Sequence, residues 1–228
     1  MSPAEPLTGR ALARMVDISA VQAQHGREDV ETLARLALEG DFVAAHVLPS
    51  WLPALRALVA GSTTNAGSPV GFPSGGSATP IKVAEAEWLL ANGVQEMDVV
   101  MNIGLVRSGE LAAASRDVGA VLAAVGGAVP VKVILEVGLL DEDQLRSAAQ
   151  AAMDAGATSL KTGTGWQGVA TTPRHVELIR AVAGPGPEIK ASGGVRSLEQ
   201  IRALLAAGAT RFGINTAVAV RLVAEAGA

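Results

Sequence analysis

Four segments of the chain repeat one pattern, an Ala/Leu-rich helix, a glycine and a short apolar strand. They are ARLALEGDFVAAHV, EWLLANGVQEMDVVM, AMDAGATSLKT and ALLAAGATRFGI. Their glycines, Gly40, Gly93, Gly156 and Gly208, lie 53, 63 and 52 residues apart. Each stands where a helix needs a left-handed residue past its C-terminus before the chain turns into a strand. Four further strand candidates, ARMVDIS, SPVGF, PVKVILEV and PEIKAS, fall between these units. Helix-start signals follow them: Thr79-Pro80 and Thr172-Pro173 read as N-cap plus N1 proline, and Ser197 with Gln200 as a capping box. Eight strands alternating with helices imply parallel pairing. The expected fold is a single (β/α)8 barrel over residues 1–228, which fits the roughly 250 residues such barrels use. A doubly wound open sheet is the competing arrangement, and the nearly even spacing favours the barrel.

Composition removes several classes of function. Hydrophobic residues make up 49% of the chain, enough for a large core. A formal charge of −4, without a basic run or interleaved aromatics, argues against a nucleic-acid partner. No apolar run approaches the ~20 residues of a membrane span. MSPAEPLTGR lacks the basic-then-apolar pattern of a leader, so a cytoplasmic protein is expected. With no cysteine, disulfides, thiolate metal sites and a cysteine nucleophile are excluded.

Barrel active sites form at the C-terminal ends of the strands. Residues two apart in a strand share a face. In PVKVILEV this sends Lys132 and Glu136 inward, because Val131, Val133 and Leu135 suit the helix-facing side. In EMDVVMN it groups Asp98 with Asn102. Lys161 ends the sixth strand and Lys190 the seventh, so three lysines and an aspartate converge on one interior. A free lysine, with a pKa near ~10.4, is protonated and not nucleophilic at pH 7. Desolvation and a neighbouring ammonium lower that value, and a lysine so tuned attacks a carbonyl to form a Schiff base. A single inward lysine is ordinarily half of a buried ion pair. For Lys132, with Glu136 and Asp98 nearby, the two readings stand level. For Lys161 and Lys190 the ion-pair reading weakens, since glycine loops, TGTG and ASGGVR, follow each at once. With a third loop at RFGINT they suggest a phosphate cup, to which Arg196 adds a fixed charge.

VGFPSGG, IKVAEAEWLLANGVQEMDVVMNIG, VKVILEV, AGATSLKTGTGW, IKASGGVRS and GATRFGIN occur together and in this order, between about Met15 and Val220. In these motifs the chain resembles the deoxyribose-phosphate aldolase family. The resemblance implies a class I aldolase on a (β/α)8 barrel. Such an enzyme cleaves 2-deoxyribose 5-phosphate reversibly to acetaldehyde and glyceraldehyde 3-phosphate, without metal or organic cofactor. By position it implies that Lys161 is the Schiff-base lysine, Lys190 the neighbour that depresses its pKa, and Asp98 the proton-relaying carboxylate. Lys132 matches a lysine beside these groups, and Asp17 an aspartate that orders substrate hydroxyls. Thr164, Gly165, Gly193, Gly194, Arg196, Gly213, Asn215 and Thr216 fall in the phosphate loops. A small phosphorylated sugar or aldehyde is the implied partner, together with a homodimer.

The chain departs from the family pattern at Gly163, in place of a serine, and at Trp166, where smaller aromatics or lysine are usual. It also departs at Ile214-Asn215-Thr216, where two adjacent serines are typical, and at His46, where a cysteine is frequent. It has no tyrosine, which some members use in proton transfer. These changes leave the lysine chemistry intact and bear on the substrate. A related aldolase acting on another hydroxy-carbonyl compound and a non-catalytic phosphometabolite-binding barrel are the alternatives. The remaining conspicuous residues read as structural. His25, His46 and His175 lack metal-ligand spacing. His46 is expected at the core or rim, with a catalytic role as the lesser alternative, and His175 on a solvent-facing helix position. Lys82 and Glu85 read as a surface pair. Phe72 and Pro73 are expected to shape a loop, and Trp51 and Trp88 to pack under helices.

Overall fold

A computed structural model describes residues 7–227. Residues 1–6, which hold most of the segment read as lacking a leader pattern, lie outside it, as does residue 228. Eight strands form: β1 (Val16–Ala20), β2 (Ala44–Val47), β3 (Asn65–Val70), β4 (Glu96–Val100), β5 (Val131–Ile134), β6 (Ser159–Lys161), β7 (Glu188–Ser192) and β8 (Arg211–Asn215). They pair in parallel in sequence order, and β1 closes on β8 with Val16 opposite Phe212. The barrel is therefore the fold and the open sheet is not. Helices outside and side chains inside cover both faces, so every residue of β2, β4 and β5 is buried.

The helix signals hold with local corrections. Asp141 and Gln144 form a reciprocal capping box at helix Glu142–Asp154, as do Thr172 and His175 at helix Pro173–Ala183. His175 is half-buried there rather than solvent-facing. Ser197 accepts from the Gln200 N–H, but the Gln200 side chain turns to the Arg196 N–H, so the box is half formed. At helix Thr79–Ala91 the N-cap is Ala78, because Thr79 Oγ1 donates sideways to Asp117 Oδ1 at 2.7 Å. Gly93, Gly156 and Gly208 adopt φ of +75°, +93° and +105°. Gly40 does not; Asp41 takes the left-handed turn, with φ +49°, while a Cβ on Gly40 would lie 2.5 Å from the Phe42 ring.

Lys82 and Glu85 are not a surface pair. The face that helix Thr79–Ala91 turns to the barrel carries Lys82, Ala86 and Leu89, so Lys82 is fully buried. Its ammonium donates to Val100 O at 2.9 Å and Asp117 Oδ2 at 2.6 Å, while Glu85 accepts from the Gly71 N–H. Trp88 consequently faces solvent, 44% exposed, and is not packed beneath its helix. Trp51 is half-buried under the Arg27 guanidinium, 5.7 Å away. Removing one member of a buried ion pair strands the other, at about 3–5 kcal/mol. Lys82→Ala is thus expected to lower the unfolding free energy by that amount in denaturant titrations. A loss below about 1 kcal/mol would show that Asp117 finds another partner.

Candidate active site

Inward positions on seven strands build the site. Asp98 sits opposite Lys132 across β4 and β5, Lys161 opposite Lys190 across β6 and β7, and Lys190 opposite Arg211 on β8. Lys190 is the third of the five residues of β7 rather than its last. Barrel closure adds Asp17, and β2 adds His46. Asp17, Glu96 and Asp98 are all buried. Three fixed cations each bridge two of them. Lys132 lies 3.0 Å from Glu96 and 3.9 Å from Asp98. Lys190 lies 2.5 Å from Asp17 and 2.7 Å from Asp98. Arg211 lies 2.6 Å from Asp17 and 2.9 Å from Glu96. Lys161 is the fourth cation, donating to Asp98 Oδ2 alone among the side chains of the described residues, at 2.7 Å.

This pairing identifies the amine that can be free. Three carboxylates balance three bridging cations, so the cluster is neutral when Lys161 and His46 are uncharged. Burial of net charge is what low dielectric penalises most. The titration directions agree. Burial foremost, and the Lys190 charge after the opposing pull of Asp98, lower the Lys161 pKa from 10.5 to about 8. Burial likewise presses on Lys190, but Asp17, Asp98 and Glu96 overcome it and hold its pKa above the ordinary lysine value. For Asp98, Lys161 and Lys190 outweigh desolvation and keep the carboxyl ionised. Glu96 is held at about 2 against burial and Asp17, by Lys132 and His46. With a pKa of about 8, roughly one Lys161 in ten is a free amine at pH 7, against about one in three thousand at 10.5.

Above the cluster lies a cavity of about 250 Å³ whose walls include Asp17, His46, Asp98, Lys161 and Lys190. Thr164, Gly165, Gly193, Gly194, Arg196, Gly213 and Asn215, the residues expected in the phosphate loops, also line it. Their roles differ in detail. Both Thr164 donors, N–H and Oγ1, go to Glu136, so Thr164 shapes the loop. Glu136 itself lies past the end of β5 with φ +53° and clamps the β6 loop instead of projecting among the lysines. A Cβ at residue 163 would come 2.8 Å from its Oε1, which gives Gly163 a local reason. Gly213 lets Lys190 pass: a Cβ there would lie 3.1 Å from Lys190 Cε and 2.7 Å from Ser192 Oγ.

Two expected site residues fall outside the cavity walls. Lys132 does not line the cavity, and its ammonium donates to Glu96 Oε1 at 3.0 Å as one half of a buried ion pair. Thr216 donates to Ser19 O. Phe72, expected only to shape a loop, lines the cavity and meets Trp166 edge-on, with ring centroids 5.5 Å apart. Glu96 and Arg211 are the residues that sequence reasoning missed. Glu96 is two positions before Asp98, so the parity argument already placed it inward. Asp17, His46 and Glu96 bring donor atoms within 4.8 Å of one another, a spacing that could suit a metal. Here the two carboxylates are already engaged by Lys132, Lys190 and Arg211.

Comparison with known proteins gives a consistent family. The profile of the DeoC/LacD family aldolases matches residues 11–221. A deoxyribose-phosphate aldolase of Rhizobium meliloti (strain 1021) is 47% identical over 99% of this chain and 91% of its own. One from Klebsiella pneumoniae is 39% identical over 96% of this chain and 88% of its own. The solved deoxyribose phosphate aldolase of Aeropyrum pernix, described as a unique tetramer, superposes with a TM-score of 0.87 at 30% identity. It covers 96% of this chain and 92% of that structure.

Proposed function

The chain belongs to the DeoC/LacD family of aldolases, and from that membership we propose that it cleaves 2-deoxyribose 5-phosphate to acetaldehyde and glyceraldehyde 3-phosphate through a Schiff base on Lys161. The observation that carries the reading is the pairing of the interior charges, which leaves Lys161 as the surplus cation beside a bridged Asp98. The Lys161 amine adds to the C1 carbonyl of the open-chain sugar, and the carbinolamine loses water to give an iminium. The iminium accepts the electron pair of the C2–C3 bond as the C3 hydroxyl gives up its proton, releasing glyceraldehyde 3-phosphate. The resulting enamine takes a proton at C2, and hydrolysis returns acetaldehyde and the free amine. Asp98, acting through water, moves these protons, and Lys190 keeps its charge throughout.

The phosphate is assigned to the cup formed by Gly165, Gly193, Gly194, Arg196 and Asn215. Borohydride reduction in the presence of acetaldehyde, followed by peptide mass mapping, tests the covalent step: an ethyl adduct on Lys161 is expected, and none there would end the reading. Substrate assignment has a separate test. Cleavage of 2-deoxyribose 5-phosphate is expected to exceed that of 2-deoxyribose by at least about tenfold in kcat/KM, the worth of one charge-assisted hydrogen bond. Equal rates would favour an unphosphorylated hydroxy-carbonyl substrate, a reading to which Trp166 and the 214–216 loop lend weight. The proposal includes self-association, supported by the assembly described for the Aeropyrum pernix relative and by exposed Ile81 and Trp88 on helix Thr79–Ala91. It also places the enzyme in the cytoplasm. No helix among the described residues is long and apolar enough to cross a membrane.

A further inference from the structure

His46 touches all three interior carboxylates. Its Nε2 lies 2.7 Å from Glu96 Oε1 and 3.5 Å from Asp17 Oδ2, and its Nδ1 lies 3.9 Å from Asp98 Oδ2. Each bridging cation reaches two carboxylates; among the described residues the imidazole alone comes near all three. The space it fills is provided by β3. Gly67 stands opposite it in register, and a Cβ there would lie 2.4 Å from His46 Cε1. The ring is 4% exposed and still forms part of the cavity wall. The groups around it are Asp17 on β1, Glu96 and Asp98 on β4, Lys132 on β5, Lys161 on β6, Lys190 on β7 and Arg211 on β8.

We propose that His46 is a positioning residue for the chemistry of Lys161, its Nε2–H bonded to Glu96 and set beside Asp17 in the arrangement that leaves Asp98 Oδ2 to Lys161 and Lys190. The inference rests on the Schiff-base reading given above. The imidazole Nε2–H supplies Glu96 with a hydrogen bond beside those from Lys132 and Arg211. Without that donor, Glu96 and Asp17 present less compensated negative charge, and the Lys161 ammonium gains stability.

The test is the pH dependence of borohydride-trapped acetaldehyde on Lys161 in wild type, His46→Leu, His46→Gln and His46→Asn. His46→Leu is expected to move the midpoint up by about one pH unit, roughly tenfold fewer reactive amines at pH 7. Glutamine places an N–H at the depth of Nε2 and is expected to restore the wild-type midpoint. Asparagine, whose amide stops short of Glu96, should shift like leucine, and it carries the comparison if the leucine variant does not fold. Core filling alone would change stability or kcat without moving the midpoint. A midpoint common to wild type, leucine and asparagine variants overturns the inference, as does a glutamine variant displaced as far as leucine. Absence of any Lys161 adduct in the wild type would instead overturn the function on which it rests.

Discussion

Lys161→Ala is expected to lower the turnover of 2-deoxyribose 5-phosphate by roughly 10⁵-fold or more, with the folded state intact. The covalent intermediate accounts for this size. In the proposed mechanism the rest of the cavity still binds the sugar, but the C2–C3 electron pair has no sink once the iminium is gone. Folding should survive, because Lys161 is the cation in excess and Asp98 keeps the Lys190 bond at 2.7 Å. Steady-state assays with circular dichroism as the fold control check both halves. Residual activity within about a hundredfold of wild type would mean that another amine carries the chemistry.

Asp98→Asn should separate two properties that move together in the wild type. Asp98 holds the Lys161 pKa up through its charge and hydrogen bond, opposing burial. Its removal therefore shifts that pKa below about 8, and the adduct-trapping midpoint moves to lower pH. More free amine is present at pH 7, yet kcat is expected to fall by roughly 10²–10⁴-fold, because the proton carrier is lost. A variant with unchanged kcat would show that protons travel by a route without Asp98. A midpoint that rose would show that Asp98 does not stabilise the ammonium.

The helix–glycine–strand repeat made the barrel legible because each unit carries its own turn chemistry and its own buried strand. Parity within a strand sufficed for Asp98, and the glycine loops marked Lys161 and Lys190. What parity could not supply was partnership around the ring. Asp17 and Arg211 are 194 positions apart and meet only because β1 closes on β8. Lys132 was undecided for the same reason: its partner is Glu96 on the next strand, not Glu136 on its own. Lys82 was misjudged because lysine with glutamate three residues on resembles a solvated pair, while the buried face of that helix was already claimed by Ala86 and Leu89. The resemblance in motif gives Lys161, Lys190 and Asp98 expected roles that residue types alone do not, whereas His46 and Gly67, where size and hydrogen bonding must match, need the three-dimensional arrangement.

Three bridging cations matched to three buried carboxylates, with Lys161 left over, is a statement about one proton. It is tested most directly by titrating the Lys161 Nζ in the unliganded wild type, with selectively labelled lysine followed by NMR and assigned by comparison with Lys161→Ala. A midpoint near 8 is predicted, with Lys190 still protonated there. A Lys161 midpoint near the ordinary 10.5 would contradict it.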